Sequence, residues 1–309
     1  MPRPTRYPSL VVRVAFVCLA MLAGCESGSP TAKDPPVPAP EAAVVAPTRE
    51  GPVNVRGNRM YLDPDDQAIT PWLRKGVWEP LETMLFEGEI ESGDVVVDVG
   101  ANVGYYTLIA AKRVGSSGKV YAFEPDPDAF ALLRANIELN ALTNVVAINK
   151  ALAAEPGRLE LFRSNTNRGD HRLYDPGDGR TAVSVEVTTL DAALADVRGI
   201  DLIKVDTQGA ECSILAGGTS LLDRERDAGI IMEYTPKYIR AFGQDPPACL
   251  RQLSERGFVF YDILEFAERK GVVKVPLDTI LEQYSEQSER YTNLFLPSRD
   301  KVATREAQP

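Results

Sequence analysis

The chain has 309 residues, 44% of them hydrophobic and 25% charged, enough for one large domain with its own core. Its formal net charge is −10 at pH 7. An acidic surface repels phosphate backbones, which argues against nucleic acid as a partner.

The chain begins with a targeting segment. Arg3, Arg6 and Arg13 are followed by an uninterrupted apolar run of 11 residues, Val14–Gly24, too short to span a bilayer. The 34 basic residues less these three leave 31 against 44 acidic ones, so the remainder is more acidic still. The run ends Leu22-Ala23-Gly24-Cys25. That order resembles the lipobox of bacterial lipoproteins, which implies a signal peptide over 1–24 and a lipid anchor on Cys25. The expected location is the bacterial cell envelope, or the cytoplasm if the signal is not used. Residues 25–56, rich in Pro, Ala and Ser, read as a disordered tether. Cys212 and Cys249 remain, with no metal-ligand spacing. Their apolar or helical contexts make buried free thiols the default, with a disulfide open in an oxidising compartment.

From 57 to 298 strands and helices alternate, and 299–309 reads as a disordered tail. Asp94–Val99 is a β-branched run, hence a buried strand, and Asn102–Val114 has helical spacing. Gly118–Glu124 is a second strand, Pro127–Asn140 a helix, and Asn144–Asn149 a third strand. Gly157–Phe162 and Val183–Thr188 flank a polar loop. Ile200–Val205, Ala228–Glu233, Phe258–Ile263 and Tyr291–Leu296 complete the strands. This alternation predicts a doubly wound, mostly parallel sheet with helices on both faces, and a ligand at the strands' carboxyl ends. Trp72, Trp78 and Phe86, interleaved with Glu79, Glu82 and Glu87, read as an N-terminal helix on the sheet edge that helps close the pocket.

The chemistry concentrates at strand ends. Asp98 precedes Gly100-Ala-Asn-Val-Gly104, a turn whose glycines and Asn102 bring backbone close to a ligand. The spacing Asp-x-Gly-x-x-x-Gly differs from the dinucleotide pattern and points to S-adenosylmethionine, with Asp98 meeting the methionine amine. Glu124 ends the second strand, where a carboxylate can accept from both hydroxyls of a ribose. Ala147–Leu152 is a candidate adenine wall. Asp206 ends the fourth strand as the candidate for substrate positioning or base, and Glu233 ends the fifth beside it. Lys204 is either catalytic or ion-paired with Glu211 or Asp201, and Glu211 orients the loop. His171, the only histidine, lies in the polar loop as a candidate base. Arg168 and Arg172 flank it and could bind an anionic group. No Gly-x-Ser-x-Gly elbow marks a hydrolase.

Together these motifs resemble the FkbM family of methyltransferases. The resemblance runs from about Gly57 to Leu296, through YLDPDDQAIT, KGVWEPLE, DVVVDVGANVGYYTLIAA, VYAFEPDP, IDLIKVDTQGAE, IIMEYTP and YTNLFLP. It implies a class I methyltransferase (Rossmann-like) fold with a seven-stranded sheet. It also implies S-adenosylmethionine as cofactor and methylation of a hydroxyl on a saccharide or small secondary metabolite. One departure stands out: the family's usual Asp-x-Glu-Gly-x-Glu has Gln208 for its middle acid. The targeting segment pulls the other way, since S-adenosylmethionine is made in the cytoplasm. The alternative is an inactive, lipid-anchored envelope binding module on the same fold.

Overall fold

The computed structural model describes residues 51–265 and 270–298. The segments expected to be a signal peptide, a lipidated Cys25, most of a tether and a tail lie outside the described residues. The tether was expected to reach residue 56, but the fold begins earlier. Strands β1 (Val53–Val55) and β2 (Asn58–Met60) form a hairpin turned at Gly57, with Val55 and Met60 buried. Alternating valines, and Asn54 accepting from the Gly57 N–H at 3.0 Å, explain why this short stretch pairs.

Helices α1 (Thr70–Leu73) and α2 (Pro80–Glu89) follow. They replace the single helix expected from the Trp and Glu spacing, and Trp78 and Glu79 fall in the break. Phe86 of α2 joins the apolar layer over one sheet face, rather than the sheet's edge. Then come β3 (Val95–Val99), α3 (Tyr105–Val114), β4 (Lys119–Phe123), α4 (Pro127–Leu139) and β5 (Val145–Ile148). Asp126 caps α4 by accepting from the N–H groups of Asp128 and Ala129.

A small three-stranded sheet comes next: β6 (Ala151–Leu152), β7 (Gly157–Arg163) and β8 (Thr181–Thr188), in the order β6-β8-β7. The polar loop bearing His171 connects β7 to β8. The chain returns through α5 (Leu190–Ala193), β9 (Ile200–Val205), α6 (Glu211–Ala216), α7 (Thr219–Arg224) and β10 (Gly229–Tyr234). It ends with α8 (Pro236–Ala241), α9 (Pro246–Glu255), β11 (Tyr261–Ile263), β12 (Val272–Lys274), α10 (Leu277–Gln283) and β13 (Thr292–Leu296).

The main sheet has the order β12-β11-β13-β10-β9-β3-β4-β5. Strands β10, β9, β3, β4 and β5 run parallel, and β13 enters antiparallel between β10 and β11. This is the class I methyltransferase arrangement, with β12 as an eighth strand beyond the seven expected. Order reverses at the β3–β9 junction, so a crevice opens there at the carboxyl ends. Side chains alternate across the sheet: Val96, Leu202 and Ile231 pack toward α2 and α3, while Val97, Val99, Ile203 and Met232 join the opposite core with α6, α7 and α9. Cys212 of α6 and Cys249 of α9 form a disulfide across 37 residues, so the pair is not the free thiols that were the default. No described helix is long and apolar enough to cross a membrane.

Candidate active site

The crevice has two lobes that share Gly100, Asn102, Gly169, Asp206 and Gln208 as a common floor. Gly100 has φ +88°, and a Cβ there would collide with the Asp206 carbonyl oxygen. Only glycine lets the turn after β3 lie against the turn after β9. Gly104, at φ +96°, would drive a Cβ to 2.7 Å from Leu133 Cδ1. Asn102 adopts φ +50° and donates its N–H to Glu124 Oε2 at 2.7 Å.

The first lobe is lined by Phe123, Glu124, Pro125, Leu152, Leu161 and His171 among others. Glu124 directly follows β4, buried, with its second oxygen accepting from the Asp126 N–H at 2.8 Å. Burial pushes this carboxyl up to about 8, despite two backbone donors that favour its charge. Additional hydroxyl donors would relieve that cost. The glycine cradle, this acid and the Ala151–Leu152 wall fit an adenosine group. Of the expected 147–152 wall, only Lys150, Ala151 and Leu152 line the lobe.

The second lobe holds Trp78, Glu79, Tyr106, Lys204, Glu233 and Tyr291. Strand periodicity explains its charged wall. Lys204 lies on the α2/α3 side of the sheet, and Glu233, two residues beyond Ile231, shares that side, with Lys204's register partner Asp98 buried beneath them. Lys204 Nζ lies 3.2 Å from Glu82 and 3.0 Å from Asp206, with the Tyr106 ring 4.3 Å away. Its partners are therefore Glu82 and Asp206, not Glu211 or Asp201. Burial opposes its charge, but Asp206, Glu82 and Glu79 outweigh that and hold its pKa well above the ordinary value. Gln208, at φ +56°, donates to Glu233 Oε2 at 2.8 Å and to Asp206 Oδ1 at 3.3 Å. The residue that replaces the family's acid thus bridges two carboxylates. Glu233 also accepts from Thr235 Oγ1 at 3.0 Å. Burial, then the charges of Asp206 and Glu211, push Glu233 well above the usual carboxylate range. Glu211 shapes the loop, accepting from the Thr207 N–H and hydroxyl and from the Gly209 N–H.

Three expectations change. Asp98 lines neither lobe: it is 1% exposed, faces α3 and accepts from Thr107 Oγ1 at 2.5 Å. Its role is to tie β3 to α3 beneath the turn. His171 lines the first lobe, not the second. Its Nδ1 accepts from the Ser164 N–H at 3.1 Å, so the neutral ring carries its proton on Nε2 and has no free lone pair. Burial first, and then Arg163, Arg168 and Arg180, lower it to about 4 against the pull of Asp126. A base needs the opposite arrangement. Arg168 and Arg172 are likewise committed, to Asp63 at 2.9 Å and Asp170 at 2.7 Å, and Arg172 stacks 3.8 Å from the Tyr238 ring centre.

Some site residues were not singled out from sequence. Tyr106, Tyr238, Tyr291 and Asn293 reach the second lobe from α3, α8 and β13 with its approach. Glu82, read only as part of a helix, proves to be Lys204's buried partner. An acid three residues after Glu79, between Leu81 and Thr83, was the available signal.

Residues 98–260 match the Methyltransferase FkbM domain, more than half of the chain. Methyltransferase sdnD of Sordaria araneosa is 30% identical over 160 residues, covering 41% of this chain and 61% of that protein. Hexuronic acid methyltransferase AglP of Haloferax volcanii is 28% identical over 137 residues, covering 43% and 54%. 2-O-methyltransferase NoeI of Sinorhizobium fredii is 29% identical over 178 residues, covering 49% and 70%. The matches to the first two span little more than half of each relative's length. The domain match and the crevice agree: this chain belongs to the FkbM methyltransferase family.

Proposed function

We propose that the protein is an S-adenosylmethionine-dependent O-methyltransferase acting on a saccharide or small-metabolite hydroxyl. One observation carries this: the glycine cradle and Glu124 open directly onto the lobe of Asp206, Gln208 and Glu233. When bound, S-adenosylmethionine supplies a methyl group activated on a sulfonium. Glu124 holds the ribose diol, and the Gly100–Asn102 backbone admits the cofactor at close range. Glu233 takes the proton of the acceptor hydroxyl. It has a raised proton affinity and, among the described residues, no cation within reach, whereas Asp206 is committed to the Lys204 ammonium. Asp206 and Gln208 orient Glu233, and Lys204 balances charge. The name of NoeI, a 2-O-methyltransferase, supports methyl transfer to oxygen in a related chain, and that of AglP, a hexuronic acid methyltransferase, supports a saccharide acceptor. Titration of S-adenosylhomocysteine into the domain tests this reading. Micromolar binding, lost in Glu124→Ala, is expected, and absence of binding by the folded protein overturns it.

We further propose that the enzyme is exported and held at the envelope by lipid on Cys25. The basic, apolar and Leu-Ala-Gly-Cys order supports this, and so does the Cys212–Cys249 disulfide, a bond that persists in oxidising compartments. Palmitate labelling of the full chain, abolished in Cys25→Ser, is the expected result. An unlabelled, cytosolic protein with reduced Cys212 and Cys249 would refute it.

A further inference from the structure

Charge around the crevice is distributed unevenly. Among the described residues, each lysine or arginine lining either lobe already has a carboxylate. Lys150 holds Glu186 at 2.6 Å, Arg168 holds Asp63, and Lys204 holds Glu82 and Asp206. The loop arginines behind the wall are spent too, since Arg172 and Arg180 both bind Asp170. The converse does not hold for the acids. Glu79 meets the Tyr106 hydroxyl at 3.3 Å, and Glu233 meets Thr235 and Gln208. Among the described residues neither touches a cation, and both line the second lobe.

This lobe therefore offers carboxyl groups in surplus and, among the described residues, no spare cation. Burial and the charges of Glu82 and Asp206 push Glu79 well above the carboxylate range, as Glu233 is also pushed. Donors from a ligand would lower that cost, and a further anion would raise it. The rest of the wall suits a ring. Trp78 and Tyr291 flank the lobe, and Tyr291 is half exposed at 50%. Aromatic faces bury the apolar C–H face of a sugar ring while carboxylates take its hydroxyls.

We propose that the second lobe takes a polyhydroxylated acceptor without an acidic group, an uncharged sugar ring or an amino sugar, and rejects uronic acids and sugar phosphates. This rests on the methyl-transfer reading and narrows its substrate class. Lys204 provides no exception, because an anion drawn to it would displace Asp206 or Glu82 and strand that carboxylate.

The test uses the full chain saturated with S-adenosylhomocysteine, so that loss of cofactor binding and loss of acceptor preference read separately. Methyl glucoside, glucosamine, glucuronic acid and glucose 6-phosphate are titrated and followed by ligand-observed NMR. The expected result is binding of the first or second probe, with both anions at least about tenfold weaker. In Glu79→Gln and Glu233→Gln that gap should narrow. Stronger binding of glucosamine than of methyl glucoside would assign an ammonium to the acceptor, and the reverse would assign an uncharged ring. Equal or tighter binding of either anion overturns the proposal. So does failure of both non-acidic probes to bind a protein that holds S-adenosylhomocysteine.

Discussion

The two lobes of the crevice are built in different ways. The first draws its key groups from two adjacent strand ends, the turn after β3 and Glu124 after β4, together with apolar wall residues. The second gathers side chains from the start of α2, the ends of β9 and β10, and the approach to β13. The first is a local motif repeated by the sheet's geometry, and it holds one buried acid. The second is assembled over long sequence distances, and it holds several acids around one lysine. Binding and chemistry should therefore come apart under mutation: changes in the first lobe act on affinity, and changes in the second act on turnover.

The floor common to both lobes gives the largest effect. Gly100→Ala places a Cβ into the Asp206 carbonyl at a left-handed φ, so the two turns must separate. A loss above about 3 kcal/mol is expected, with cofactor binding and turnover lost together. Chemical unfolding and calorimetry check it. A stable variant that keeps affinity would show that the lobes do not depend on this close contact.

Next comes Glu124→Gln, which separates the lobes. Two charge-assisted hydrogen bonds to a ribose are weakened, lowering S-adenosylhomocysteine affinity about 10- to 100-fold at pH 9. The wild-type carboxyl, raised to about 8, must lose its proton to bind as an ion. Wild-type affinity should therefore rise about tenfold per pH unit up to about pH 8 and then level, while the variant stays flat. Stability moves oppositely. The folded acid keeps a proton that the unfolded chain releases near 4.5, so wild type loses stability as pH rises from there to about 8. A wild-type affinity without pH dependence would remove Glu124 from the ribose.

Glu233→Gln is the complementary change. We expect kcat to fall about 10²- to 10⁴-fold while S-adenosylhomocysteine affinity stays within about threefold. If Asp206→Asn alone gives that split, the base is Asp206 and Glu233 is its support.

How much of this was visible in the sequence follows the same division. Strand bounds along β3, β4, β5, β9 and β10 agree with the expected strands to within a residue or two, because each is a short apolar-rich stretch set off by polar or turn residues. Glu124 and the Gly100–Gly104 turn were legible for the same local reason. Asp98 was misplaced because a residue's face depends on strand phase: two positions after Val96, it must point at α3. The bridge from Gln208 to Glu233 was invisible, since it joins residues on different strands through an unusual backbone angle. The Cys212–Cys249 bond was equally hidden, as spacing alone cannot pair cysteines.

The smallest effect is expected at His171, which sharpens the boundary between the lobes. At pH 7 the ring is neutral, supported by the Ser164 N–H and crowded by arginines, so His171→Gln should change turnover less than about threefold. Its signature lies in acid instead. The unfolded chain takes up the histidine proton near 6.5, whereas the folded ring resists it until about 4. Wild type therefore loses stability as pH falls through that window, opposite in sense to the contribution of Glu124, and the glutamine variant is spared the loss. Thermal unfolding of both proteins between pH 4 and 7, about the range of that titration, measures it. A variant that held its affinity but lost turnover at every pH would move His171 across the floor to the acceptor side. The imidazole would then have to give up the Ser164 hydrogen bond to free a lone pair, a rearrangement visible in its NMR tautomer signals.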